Sequence, residues 1–326
     1  MFKFSIKLAS LALSVMCATL FSACSDDEKS DTGEIPVLPA PTYESISAKY
    51  NITANSSDIE SIELTADGKF IILERDSYAY SAPRAKFAKA AVASRAASGS
   101  VICGNFIQVS ETEYVLPGFG SIVIEGDSNN AVNLIVTYED GESTTVAASR
   151  ASQTPDSELT KAMCRSWNLS KLGFKIVIDG HAIFDKSRPS SEIWTLMTEM
   201  DKALADYTNR LIDDPDDYYE PQVYHEDYYP AGITLSRSGT YLVNYNNTLD
   251  PAMPFFGVAV WKWVDEAKRQ FHYSWVYDNQ EADILGSAGN ATVKFEGNDM
   301  VIVEENTTKE EGHTMTAQTT YYCSLP

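Results

Sequence analysis

The segment DDPDDYYEPQVYHEDYYP, residues 213–230, gathers seven acidic residues, five tyrosines and one histidine in a chain of 326. Closely spaced carboxylates chelate calcium through oxygen ligands, and Asp213, Asp214, Asp216, Asp217 and Glu220 are the ligands such a site would use. EF-hand spacing and a loop glycine are both missing, so a solvated acidic loop competes with the metal reading, as it does for most charge blocks. Tyrosine offers a large, rigid contact area at low entropic cost. The same segment therefore also reads as a protein- or glycan-binding surface.

A second constellation is aromatic. Strand alternation places Trp261 and Trp263 on one face of a strand, and Phe271, Tyr273, Trp275 and Tyr277 on one face of the next. If the two faces lie together they make an aromatic wall, which stacks sugars or covers an apolar ligand. The competing reading is plain core, because small barrels fill themselves with side chains. Trp261, Trp263, Tyr273, Trp275 and Tyr277 are the candidate ligand-binding residues.

Catalytic templates fail in turn. HEDYY (225–229) lacks the second histidine of a zinc-protease helix. GFGSIV (118–123) lacks the third glycine of a dinucleotide loop. No G-x-S-x-G elbow is present, and His181, His225, His272 and His313 are each more than 40 residues apart. No catalytic residue is assigned and no cofactor is expected beyond the calcium reading. The expectation is a non-enzymatic binding role toward a small apolar molecule, a glycan or a protein. The alternatives are a glycan hydrolase using two of the many carboxylates and a structural component of an envelope complex.

The elements that must position these residues are mostly strands. From 44 to 150 the apolar period is two: SIELTADGKFIILER (61–75) is a hairpin around Asp67-Gly68, and 104–126 and 130–143 continue as an antiparallel meander. The stretch 81–100 interrupts it with Arg84, Lys86, Lys89 and Arg95 and no acid, as a surface excursion or a basic docking arm. Around 151 the chain changes character. Thr154-Pro155 opens a short helix, and SWNLSKLGFKIVIDG (166–180) reads as a strand pair. Ile193, Leu196, Met197, Met200, Leu204, Tyr207 and Leu211 then form a helical stripe over 191–212. Five to six strands follow from Ala231, the pattern of a barrel or sandwich.

Charge and leader give the address. Basic residues number 25 and acidic residues 46, a net charge of −21. Such a field repels nucleic acid and anionic lipid headgroups. Residues 1–23 have a basic start (Lys3, Lys7), an apolar run of 14 (8–21) and small residues before Cys24. That run is shorter than the roughly 20 residues a membrane-spanning helix needs. LFSAC (20–24) resembles the lipobox of bacterial lipoproteins, which implies cleavage before Cys24 and its acylation; several acyl chains anchor stably. The chain beyond the cut carries 23 basic and 46 acidic residues, a charge of −23. SDDEK (25–29) resembles the acidic signal that sends Bacteroides-type lipoproteins to the outer face of the outer membrane, and 24–43 is an acidic, proline-rich tether. Cys103, Cys164 and Cys323 allow at most one disulfide.

CRSWNL (164–169), SRSGTYLV (236–243) and GVAVWKW (257–263) occur in the order seen in lipocalin-like outer-membrane lipoproteins of Bacteroides and its relatives. The resemblance covers about 160–326 and implies an antiparallel β-barrel. The fold expected is thus mainly β: a smaller β-meander domain at 44–150, then a lipocalin-like β-barrel with an inserted helix at 151–326. TADGKFII (65–72) in the first half is a shortened echo of SRSGTYLV.

Overall fold

A computed structural model of the chain describes residues 33–54, 57–75, 101–128, 130–212, 214, 216, 218–251, 254–275, 288–310 and 312–326. The leader with Cys24, the tether up to Thr32, the basic stretch 81–100, Asp213, Asp217 and Tyr277 lie outside the described residues.

The first sheet contains β1 (Ala48–Ile52), β2 (Ile59–Leu64), β3 (Lys69–Glu74), β4 (Val101–Asn105), β5 (Ile107–Gln108), β6 (Glu113–Leu116), β7 (Gly120–Ser128), β8 (Ala131–Tyr138) and β9 (Ser143–Arg150). Its order is β4-β3-β2-β1-β9-β8-β7-β6-β5, and its described ladders are antiparallel. The two edge strands are successive pieces of one segment, separated only by Phe106. The meander therefore curls into a nearly closed barrel. Its interior is filled by alternate residues of each strand, among them Ile62, Leu64, Phe70, Ile72, Tyr114, Leu116, Ile122, Leu134 and Val136, all buried. Gly120 opens β7 with φ +141°, and a Cβ there would stand 2.0 Å from the Thr137 carbonyl oxygen. Gly120→Ala should lower stability by roughly 1–3 kcal/mol. An unchanged denaturation midpoint would show that the β7–β8 ladder is not as described.

The second half begins with α1 (Glu158–Met163), then β10 (Ser166–Ile178), β11 (His181–Pro189), α2 (Ile193–Thr208), β12 (Tyr228–Leu235), β13 (Thr240–Asn247), β14 (Phe255–Asp265), β15 (Gln270–Trp275), β16 (Ala288–Glu296), β17 (Asp299–Glu310) and β18 (His313–Ser324). The sheet order is β11-β10-β12-β13-β14-β15-β16-β17-β18, and an added β10–β18 pairing closes eight of these strands into an antiparallel barrel. Strand β11 stays outside the closed ring, paired to β10. Helix α2 is the inserted helix. Its Glu199 receives Lys186 Nζ of β11 at 3.1 Å and also pairs with Arg188.

Two local expectations need correcting. The first helix starts at Glu158, capped by Ser157, whose side chain accepts from the Thr160 N–H, and not at Thr154-Pro155. Thr154 Oγ1 instead donates to the Arg237 carbonyl at 2.6 Å. The stretch 166–178 is one long strand rather than a strand pair: a bulge at Leu169/Lys171 shifts its register against β18, and beyond it Leu172, Phe174, Ile176 and Ile178 alternate inward and are all buried.

The described chain forms two compact units. One holds Trp167–Ile233 and Ala259–Pro326 with the described residues before Val37; the other holds Val37–Ser166 and Thr234–Val258. Within the second of these, the β2–β3 and β12–β13 turns share one construction. Thr65 N donates to Lys69 O and Gly68 N to Thr65 O, just as Ser236 N donates to Thr240 O and Gly239 N to Ser236 O. In both, a hydroxyl at the first position accepts from the N–H four residues on (Lys69 to Thr65, Thr240 to Ser236). Their side-chain contacts are reciprocal: Lys69 Nζ donates to Thr234 Oγ1 at 3.3 Å, and Thr240 Oγ1 donates to the buried Glu63 carboxylate at 2.5 Å. The echo between TADGKFII and SRSGTYLV is therefore a shared turn.

Candidate functional site

The inner face of the second barrel changes character along its axis. At one end Phe295, Met300 and Cys323 stand opposite one another across β16, β17 and β18, and all three are at most 3% exposed. One step along, Val293 faces Ile302, both 0% exposed, and Ile302 faces Tyr321. The following step is Phe271, Ala291, Glu304 and Thr319, where exposure has risen to 8% at Glu304 and 9% at Thr319. Beyond it come Tyr273 opposite Gly289 and Asn306 opposite Ala317. An apolar plug thus gives way to one acid, one amide and hydroxyls set among small residues and aromatic rings, before Met315 and Ile178, both 1% exposed, follow at the step of Thr308.

The aromatic residues are brought together as alternation requires. Register pairs Trp261 with Tyr273 and Trp263 with Phe271. Trp261 meets Trp263 edge-on at 5.5 Å and Phe271 at 5.9 Å; Phe271 lies 6.4 Å from Trp263 and 6.5 Å from Tyr273. Phe271 is fully buried, Trp261 and Tyr273 are nearly so, and Trp263 is half-buried. Trp275 closes β15 opposite Ala259, its side chain outside the described residues.

Glu304 is the residue that reading the sequence missed. It shares the inward face of β17 with Met300, Ile302 and Asn306. Its carboxyl receives the Tyr321 hydroxyl at 3.2 Å and is also hydrogen-bonded by Tyr273. Burial pushes this carboxyl up to about 7, and the two tyrosine hydroxyls pull against that rise. No charged group among the described residues contributes to the shift. The clue was available: an acid at the third inward position of an alternating run, MVIVEEN (300–306), breaks an apolar face.

The acidic segment is not a free solvated loop where it is described. Asp201, 0% exposed on α2, accepts from the Tyr219 hydroxyl at 2.8 Å and from the Gln222 N–H at 2.6 Å. Asn209 bonds both ways with the Tyr219 backbone, Thr198 Oγ1 accepts from the Tyr224 N–H, and Trp194 Nε1 donates to the Tyr228 carbonyl. Burial and the Asp201 carboxylate push the Tyr219 phenol up. The helix thus carries polar groups that strap the segment down, while Leu211 at the end of the expected apolar stripe is exposed. Asp201→Ala should release the strap at a cost of about 1–3 kcal/mol, read as faster amide exchange over 219–224 with α2 still protected. Slow exchange there would refute the strap.

Of the five calcium candidates only Asp214, Asp216 and Glu220 are described, and Asp214 Oδ1 accepts from the Asp216 N–H. Among the described residues no group of three His, Cys, Asp or Glu side chains is placed to hold a metal ion. Two histidines do meet one acid at the β10–β11 turn. His313 Nδ1 lies 2.5 Å from Asp179, which the Thr314 N–H and His313 hold below the usual carboxylate range with His181 nearby. Cys103, Cys164 and Cys323 are free thiols. Burial pushes Cys103 and Cys323 up to about 12, so they pack as small hydrophobes.

No protein-family model and no curated protein matches this sequence. Among solved structures, the chain is similar to a double mutant of the vaccine antigen transferrin binding protein B from Haemophilus parasuis Hp5. Identity is 8% and the TM-score 0.22, over 86% of this chain and 45% of that one, so the chain spans less than half its length. It is also similar to a protein of unknown function from Nostoc punctiforme, at 5% identity and a TM-score of 0.19, over 85% and 94% of the two chains. At these scores neither likeness bears on function.

Proposed function

We propose that this protein is a lipid-anchored lipoprotein of the bacterial outer membrane, facing the exterior, whose second barrel binds a small molecule without transforming it. The observation that carries the reading is the polar step on the inner face: after an apolar plug at Phe295, Met300 and Ile302, Glu304 and Thr319 share a register row with Ala291 and Phe271, Asn306 follows on β17, and Tyr273, paired with Trp261, bonds Glu304. A barrel that only had to stay folded would gain more from continuing the aliphatic filling, since a buried polar group gives no transfer energy and needs partners. Binding sites are mostly apolar walls with a few placed polar groups, and this face has that make-up. Trp261, Trp263 and Tyr273 are the contacts assigned to the ligand; the Trp275 side chain and Tyr277, assigned with them from the sequence, lie outside the described residues. The anchor reading rests on residues 1–24. Among the described residues no helix is long and apolar enough to cross a membrane.

The test is native mass spectrometry of the full chain extracted from its own membrane. A reproducible mass increment of a few hundred daltons, lost in a Trp263→Ala variant that keeps its far-ultraviolet dichroism and cooperative unfolding, is the expected result. A ligand-free spectrum under gentle extraction, with no small molecule released on denaturation, would count against binding.

A further inference from the structure

We infer that the ligand of the second barrel is an organic cation, an amine or ammonium group whose charge meets Glu304 and whose body lies against Trp261, Trp263, Phe271 and Tyr273. This rests on the binding reading above and names the chemistry of its ligand.

The argument starts from a missing partner. Glu304 is 8% exposed, held between Ala291 and Thr319 in the sheet register. What faces it is neutral: the Tyr273 hydroxyl from β15 and the Tyr321 hydroxyl from β18, with no lysine, arginine or histidine among the described residues acting on it. The connection between β15 and β16, VYDNQEADILGS (276–287), has three acids and no basic residue in its sequence, so it brings no counter-charge either. Buried carboxylates are normally paired, because an uncompensated one is costly. Among the described residues the chain supplies hydrogen-bond donors and no counter-charge.

The surroundings choose the sign of the ligand. Aromatic rings present negative faces, which attract cations and repel carboxylates. Trp261, Trp263, Phe271 and Tyr273, on β14 and β15, form one ring cluster joined through Phe271; β16 lies between β15 and β17, and the Tyr273 hydroxyl reaches the Glu304 carboxyl across it. Beside it on β17, Asn306 is 9% exposed and the buried Thr308 hydroxyl oxygen has no hydrogen-bond partner. Ala291 stands opposite Glu304, Ala317 opposite Asn306 and Gly289 opposite Tyr273, which keeps these positions small. The chain as a whole carries −21, which enriches cations near its surface.

Three probes of one size and different charge decide the matter: benzylamine, benzyl alcohol and benzoate, titrated calorimetrically into the full chain at pH 8. Benzylamine should bind at least tenfold more tightly than benzyl alcohol, with no heat from benzoate. Glu304→Gln, which keeps shape and removes charge, should erase that tenfold preference while leaving the weak alcohol binding in place. Equal or tighter binding of alcohol or benzoate, or a preference that survives Glu304→Gln, would overturn the cation assignment and leave barrel binding standing. Silence from all three probes would also overturn it. The mass-spectrometric search for a copurifying ligand then decides the broader reading separately.

Discussion

Glu304→Gln is expected to remove a loss of stability that the parent protein suffers as pH rises from about 4.5 to about 8. The Glu304 carboxyl is held up at about 7 in the folded chain, against an ordinary value of 4.5 once unfolded. Below 4.5 both states are protonated and the contribution of the neutral, hydrogen-bonded acid is fully present. As pH climbs toward and through 7, the unfolded chain has already released its proton while the folded chain keeps it, so stability falls. A displacement of this size corresponds to about 3 kcal/mol. The measurement is the unfolding free energy of parent and variant across that range. Their difference should shift by an amount of that order, with the parent gaining relative to Glu304→Gln at low pH. Parallel curves would place Glu304 in water.

Phe271→Ala should be the most damaging single substitution in the second barrel. Phe271 is 0% exposed and touches the rings of Trp261, Trp263 and Tyr273. Removing it leaves a cavity at the centre of the cluster, a change that costs about 3–5 kcal/mol. Trp263, half-buried at the rim of the same cluster, should cost less than half as much when cut to alanine, on the scale of area removed from water. It should nevertheless abolish ligand binding. The pair separates core from platform: Phe271 holds the wall up and Trp263 offers it to a ligand. Equal destabilisation by the two variants, with binding untouched in whatever folds, would make the whole wall core.

Much of this architecture is legible in the chain because strand alternation is a short-range signal. The Asp67-Gly68 hairpin, the return to strands after Ala231 and the shared faces of Trp261, Trp263, Phe271 and Tyr273 all follow from it. What is not legible depends on partners distant in sequence. Closure of the first meander turns on one segment, 101–108, serving β3 with its first half and β6 with its second; no local pattern announces that. The stretch 166–178 looks divisible because Gly173 sits in its middle, yet Ser187 of β11 and Thr320 of β18 pair with that glycine as ordinary strand neighbours. Asp201 reads as a surface residue of an amphipathic helix until the Tyr219 hydroxyl and the Gln222 N–H are seen to converge on it. Glu304 is the instructive miss. Its neighbour Glu305 is exposed as an outward strand position should be, and the two adjacent acids look alike in sequence although one points into the barrel.

Hydrogen–deuterium exchange of the full chain with and without its copurifying ligand tests the central claim most directly. Binding at the inner face should slow amide exchange along β14 and β17, over 259–263 and 302–308, and leave β1 to β9 unchanged. Protection confined to the strapped segment 218–229, or to the first sheet, would move the site elsewhere and contradict the account.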